Sequence, residues 1–298
     1  MEVTAHMFID IHVHTRSIPG APRRGHQSYA TPEQLIERYD AIGVETAVLL
    51  PGVSPECSYV PQSNEEVLEV CKREEPGRFV PFCNVDPRAM TNSPDAPLNE
   101  ILSFYKERGC KGVGELTANL AFDDPMVENL FKHCEAVGLP VTFHIGPDIG
   151  GCYGLYDEPG LPRLEKMLAK FGGLTFLGHS QPFWAEMTPL EDEGSRRGYP
   201  KGPVCEEGAV QRLMRQYPNL HGDLSAGSGH NALSRDPDYA ARFLDEFQDR
   251  LYFGTDICAP DTGTPLVGFL TQMHEQGRIS EAVFVKVSHD NAARLLGL

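Results

Sequence analysis

Short apolar runs recur along the chain, each followed by a polar stretch and then by a segment whose apolar residues fall every three or four positions. The runs are FIDIHVH, ETAVLLP, FVPFCNVD, GVGEL, PVTFHIG, LTFLGHS, LHGDLSA and LYFGTDI, and they predict eight strands. Between them, patterns such as TPEQLIERYDAIG, SNEEVLEVCKREE, PLNEILSFYKERG, PMVENLFKHCEAVG and YAARFLDEFQDR predict amphipathic helices. Thr31 and Ser63 stand where N-caps belong, and Gly43, Gly109 and Gly138 stand just past the last turns. Strands alternating with helices make a parallel sheet, and eight of them close a (β/α)8 TIM barrel of the α/β class. The strand-end residues 115, 144, 179, 223 and 256 recur roughly 30 to 45 positions apart, one repeat each. An open doubly wound sheet would carry a glycine-rich turn after strand one, and HVHTRSIPG is no such turn. The expectation is therefore a single barrel domain over residues 1–298, with 188–208 as a loop insertion after strand six.

Composition narrows the partners. The 298 residues are 41% hydrophobic, enough for a large core, and the formal charge of -16 disfavours a nucleic-acid backbone or an anionic membrane surface. A small-molecule substrate remains. Eight cysteines without a C-x-x-C pair read as reduced, mostly core thiols. The start MEVTAHMF has no basic n-region, and no apolar run reaches about 20 residues. A soluble cytoplasmic protein is expected.

The first strand raises the chemistry. In MFIDIHVHTRS, His12 and His14 stand two positions apart, and residues i and i+2 of a strand share a face. Barrel strands deliver their C-terminal ends to one mouth. Strand one ends in His12 and His14, strand four in Glu115, strand five in His144, strand six in His179 and strand eight in Asp256. Imidazoles and carboxylates converging on one rim make a coordination shell for a divalent ion, Zn2+ first and Mn2+ second. A lone buried histidine is usually a hydrogen-bonded core residue, but that reading weakens when two share a face and further ligand types join them. Glu115 has a rival role, holding an arginine such as Arg16.

The ordered set of H-x-H on strand one, histidines on strands five and six and aspartate on strand eight resembles the amidohydrolase superfamily. Its divergent single-domain branch, which also holds carboxymuconate-semialdehyde decarboxylase-like enzymes, is the most similar. FIDIHVH, FHIG, FLGHS, FGTDI and the terminal DNAARLLGL carry the resemblance from residue 8 to 298. It implies His12, His14, His144 and Asp256 as metal ligands, and His179 as the strand-six histidine that polarises substrate or moves a proton. Strand four departs from members that carry a carbamylated bridging lysine, because Lys111 precedes the strand. Glu115 stands at the strand end instead, as in members with a glutamate ligand, and the number of ions, one or two, stays open.

The activity this resemblance implies first is hydrolysis of a small amide, ester or lactone by a metal-activated water. Asp256 would move the proton and His179 would stabilise charge on the attacked oxygen. The alternative is non-hydrolytic decarboxylation of an aromatic or unsaturated carboxylate. Hydrolysis is preferred on Glu115, since such decarboxylases usually lack a strand-four carboxylate ligand. A barrel that only binds a metabolite ranks third, because every ligand position is filled. Barrels with this site often pair, which leaves a homodimer open.

Loop residues supply candidate substrate contacts. Arg16, Arg23, Arg24 and His26 lie in the first loop, Tyr153 and Tyr156 in the fifth, and Trp184, the only tryptophan, follows His179 by five positions. Arg16 as a partner for a substrate carboxylate and Trp184 as an aromatic wall are the substrate-binding expectations, although charged loop residues are usually just solvated. Asp223 is read either as orienting a ligand histidine or as making a plain loop hydrogen bond. SAGSGH (225–230) lacks the lysine of a P-loop and is expected to form a tight turn. His133, His221, His274 and His289 are expected to be solvated or structural, and His6 lies in the N-terminal tail.

Overall fold

The computed structural model describes residues 8–22, 27–57, 61–190 and 193–298. Its strands are β1 (Phe8–Val13), β2 (Val44–Leu49), β3 (Phe79–Pro81), β4 (Val113–Leu116), β5 (Val141–Gly146), β6 (Leu155–Tyr156), β7 (Phe176–His179), β8 (Leu220–Asp223) and β9 (Leu251–Tyr252). All pairings are parallel, in two ladders ordered β1-β2-β3 and β4-β5-β7-β8-β9, with the short β6 beside β5. Bridges Cys83↔Val113 and Val13↔Ile257 join the ladders at both seams. Eight strands thus ring the molecule as a (β/α)8 barrel, and β7, β8 and β9 are its sixth, seventh and eighth staves.

The helices are α1 (Pro32–Ile42), α2 (Asn64–Arg73), α3 (Leu98–Lys106), α4 (Pro125–Val137), α5 (Pro162–Lys170), α6 (Gln181–Ala185), α7 (Ala209–Gln216), α8 (Ala226–Ser234), α9 (Pro237–Glu246), α10 (Pro265–Glu275), α11 (Glu281–Val285) and α12 (Asn291–Leu296). Four of the five predicted caps form. Thr31 and Gln34 exchange side-chain and backbone hydrogen bonds as a capping box, and Ser63 accepts from Glu66 N. The third helix stops at Lys106, three residues before the glycine expected to end it.

Two apolar clusters result. The larger packs the strands' outer faces against the helices; the smaller, including Ile9, Ile11, Val48, Leu50, Phe82 and Leu177, fills the ring, with Ala292 and Leu296 of α12 set against it. Lys111, two residues before β4, lies near Gly297 just past α12, so it is on the side away from the strand ends. Among the described residues no helix is long and apolar enough to cross a membrane. The cysteines are free; Cys83, Cys110 and Cys134 are buried, but Cys205 is exposed and the other four are half-buried, so the expectation of mostly core thiols fails.

SAGSGH is not a tight turn. It opens α8, with Ser225 at the N-cap position and Ala226 to His230 helical. Glycine is needed there for proximity: a Cβ on Gly229 would lie 2.1 Å from Leu224 O. The insertion 188–208 runs between α6 and α7 and includes a 3₁₀ turn, Glu193–Arg197.

Candidate active site

The pairing of β1 with β2 is irregular between Asp10 and Val13: three steps on β1 meet two on β2. Such a bulge re-aims side chains. Strict alternation would group Asp10 with the two histidines, yet Asp10 turns away to accept from Tyr39 Oη of α1 (2.7 Å) and from Thr255 Oγ1 (2.5 Å). Its burial pushes the carboxyl up to about 6. His12 and His14 are left facing the barrel mouth.

Each of these imidazoles is oriented from behind. His12 Nδ1 lies 2.6 Å from Asp223 Oδ2 at the end of β8, and His14 Nδ1 lies 2.8 Å from Leu50 O. Both partners are acceptors, so Nδ1 carries the proton in each ring and Nε2 presents a lone pair. The two Nε2 atoms stand 3.1 Å apart. Around them, Glu115 Oε2 is 3.4 Å from His14 Nε2 and 3.7 Å from His12 Nε2, while Asp256 Oδ1 is 3.6 and 3.8 Å away. Lone pairs facing one another call for a cation. A tetrahedral ion with bonds of about 2.1 Å holds its ligands about 3.4 Å apart, so this donor set fits zinc or a similar divalent ion.

Glu115 and Asp256 each turn a second oxygen to the other side. Glu115 Oε1 lies 2.6 Å from His144 Nδ1 and 3.7 Å from His179 Nε2, and Asp256 Oδ2 is 4.0 Å from His179 Nε2. His144, expected as a ligand, meets the cluster through Glu115. His179 Nδ1 is 2.9 Å from Ser225 Oγ. Burial and the neighbouring His12 press the His179 imidazolium down to about 4, so the ring is neutral at pH 7. Burial opposes charge on Glu115 too, but the facing His144, His12 and His14 hold it well below the usual carboxylate range. For His12, burial is outweighed by Asp223 and Glu115, which hold the ring's second proton, the one on Nε2, more tightly than usual; an ion bound at Nε2 takes that proton's place.

Asp256 takes a left-handed backbone, φ 52°, with its N–H bonded to His12 O at 2.8 Å. That conformation is uncommon for any residue but glycine, and aspartate is among those that tolerate it. It puts the carboxylate at the junction of two spaces: a cavity of about 70 Å3 over His14 and Glu115, and one of about 410 Å3 over His144 and His179. A larger cavity of about 590 Å3, between the insertion and Arg235, lies away from these donors.

The substrate-contact expectations divide. Tyr153 packs 4.5 Å from the His144 ring and lines both site cavities. Trp184 is no wall over the site: it is 2% exposed, donates Nε1–H to Asp223 O, and packs edge-on to Phe183 and Phe243. Arg16 points to Glu66 of α2 at 3.7 Å and lines neither site cavity. Arg23, Arg24 and His26, like His6, lie outside the described residues. His221, His274 and His289 are engaged elsewhere, with Tyr252, Glu281 and Glu45. Missed altogether were Arg197 and Tyr199 of the insertion and Cys57 and Cys258 at the mouth. The insertion's mixture of arginine and tyrosine was the available signal.

A model of the amidohydrolase family matches residues 9–298. The chain belongs to the amidohydrolase family. Solved structures similar to this amidohydrolase span almost its entire length. An uncharacterised TIM-barrel protein from Bordetella bronchiseptica is 19% identical over 98% of both chains, with a TM-score of 0.66. An amidohydrolase from Burkholderia multivorans with bound zinc is 17% identical over 98% of this chain and 99% of that one, TM-score 0.63. A 5-carboxyvanillate decarboxylase from Novosphingobium aromaticivorans, complexed with manganese, is 15% identical over 98% and 96%, TM-score 0.64. A search of curated proteins found no match.

Asp223 is the buried carboxylate behind His12, and its role is open to a direct test. Outer carboxylates of this kind fix the tautomer and raise the basicity of the ligand. Asp223→Asn is expected to weaken zinc binding about 10- to 100-fold, measured by competition against a chelator.

Proposed function

We propose that this amidohydrolase is a divalent-metal-dependent, non-hydrolytic decarboxylase of a small planar carboxylate, aromatic or unsaturated. The observation that carries this reading is the cavity of about 410 Å3 over His144, His179 and Asp256, a size suited to one ring with its substituents. Tyr153, Tyr199, Pro147 and Pro182 supply it with flat walls. The 5-carboxyvanillate decarboxylase and a 2,6-dihydroxybenzoate decarboxylase from Rhizobium, which share the fold, lend support.

His12, His14 and Asp256, with Glu115 beside them, are the residues to hold the ion. Once bound, the ion supplies positive charge that anchors an anionic substrate oxygen and draws electron density from the ring. Asp223 and Leu50 O keep both Nε2 lone pairs aimed at it. Neutral His179 orients substrate from the opposite side, its Nδ1 tied to Ser225. Asp256, open to the cavity, is placed to take a proton from water or a substrate hydroxyl and pass it to the carbon. As the carbon–carboxylate bond breaks, its electron pair stays on that carbon, takes the proton, and carbon dioxide leaves.

A second reading rests on a separate observation. Glu115 and Asp256 each direct one oxygen to His12 and His14 and the other toward His179, the arrangement of carboxylates shared between two ions. Two ions there suit hydrolysis of a lactone or amide. The test is a panel of hydroxy- and methoxybenzoates in D2O with the zinc- or manganese-loaded protein. The decarboxylase reading expects carbon dioxide and deuterium at the vacated ring carbon. No carbon dioxide from any acid, with oxygen from labelled water entering an opened lactone, supports the hydrolase instead.

A further inference from the structure

The cavity of about 590 Å3 beside the insertion takes no part in the chemistry above, and a guanidinium forms part of its wall. Arg235 stands between α8 and α9, half-buried, its backbone N–H donated to Asn231 O at 3.2 Å. The side chain lines the cavity, yet its buried Nε and Nη2 find no acceptor among the described residues. Buried donors without a partner are rare and costly, and charged ones more so. Burial also loosens the hold of Arg235 on its proton, which the charge of Asp236 offsets only in part.

The neighbouring acid is committed elsewhere. Asp236 accepts from Tyr239 N through Oδ1 and from Val204 N through Oδ2, both at 3.0 Å, which caps α9 and ties the insertion to it. Glu206, the acid among the described lining residues, is exposed and bonds neither orphan nitrogen. Lys201 adds a second cation to the rim, so the lining is net positive in a chain of net charge -16.

Nε–H and Nη2–H lie on one edge of a guanidinium and point the same way, a fork that matches two oxygens of a carboxylate or phosphate. Pro189, Leu190, Pro200 and Pro203 give the rest of the cavity stiff apolar walls, and its volume is that of a small-molecule site. Tyr199 is the described residue common to this cavity and the one over His144 and His179; the two are otherwise lined by different residues. We propose that this outer cavity is a second ligand site, which takes a small organic anion through a two-oxygen contact between its carboxylate or phosphate and the Nε–Nη2 edge of Arg235. The inference rests on neither an ion at the mouth nor the reaction carried out there.

Calorimetric titration with phenyl phosphate and with phenylacetate tests this. At least one is expected to bind the wild type with one equivalent per chain that does not depend on zinc, and the tighter of the two identifies the anion as phosphate or carboxylate. Arg235→Gln is expected to weaken that equivalent about 10- to 100-fold, the range of hydrogen bonds to a charged group. Arg235→Lys keeps a charge without the fork and recovers only part of the loss. Lys201→Gln, at the exposed rim, costs about 5-fold at most. A saturating probe raises the thermal midpoint of the wild type and leaves that of Arg235→Gln where it was, which separates lost binding from lost structure. No binding of either probe, or binding that survives Arg235→Gln, overturns the proposal. Binding that appears only when zinc is present places the anion on the metal and overturns it too.

Discussion

Asp256→Asn is expected to lower the turnover of the metal-saturated protein by about 100- to 10,000-fold, the usual contribution of a positioned general acid or base. Asparagine keeps the side chain's size and one oxygen, but it neither delivers nor takes a proton. Asp256 is the described carboxylate that lines both site cavities while standing within 4.0 Å of three of the imidazoles. Glu115 stands deeper, with side-chain exposure of 6% against 25% for Asp256, so the proposed decarboxylation assigns proton transfer to Asp256. The check is turnover at saturating metal, together with metal content and benzoate affinity. Turnover lost with both of those preserved marks Asp256 as the proton donor; wild-type turnover would remove it from the chemistry.

His12→Ala acts at two levels. Zinc sites of about four ligands hold roughly 10–16 kcal/mol of binding free energy, or about 3 kcal/mol for each ligand. Removing one is expected to weaken metal binding on the order of 100-fold or more. The same change strips Asp223 of its imidazole partner, and Asp223 is completely buried. Breaking a buried pair in this way costs about 3–5 kcal/mol, although Ser225 N still bonds Asp223 Oδ1. Thermal unfolding of the metal-free variant should therefore begin at a lower temperature than that of metal-free wild type. His221→Ala, outside the cluster, is expected to leave metal affinity unchanged. Equal metal affinity in wild type and His12→Ala would remove His12 from the site.

The barrel was legible because its signal is repetitive and local. Apolar runs such as PVTFHIG and FLGHS are long enough to be seen alone, and their final polar residues mark the mouth without further information. The shortest staves, Phe79–Pro81 and Leu251–Tyr252, were found through their place in the repeat more than through their own pattern. What escaped depends on contacts distant in sequence. A bulge decides that Asp10 and His12 part company, and alternation carries no sign of it. Trp184 follows His179 closely enough to suggest a cavity wall, but Gly222 leaves room for the indole to sink against β8: a Cβ there would lie 2.9 Å from its ring. Asp223 had two readings on sequence grounds, and only the 2.6 Å approach to His12 separates them. Arg197 had only the insertion's mixture of arginine and tyrosine to point to it. Nothing in EGSRRGYP says that one arginine is buried and its neighbour lines a cavity.

Both functional readings depend on an ion between the histidines and carboxylates of the mouth. The most direct test is metal analysis of the reconstituted wild type beside His12→Ala and His221→Ala. The decarboxylase account predicts about one equivalent of zinc or manganese per chain in the wild type and in His221→Ala, and little in His12→Ala. No bound ion in the reconstituted wild type, or full occupancy in His12→Ala, would contradict it.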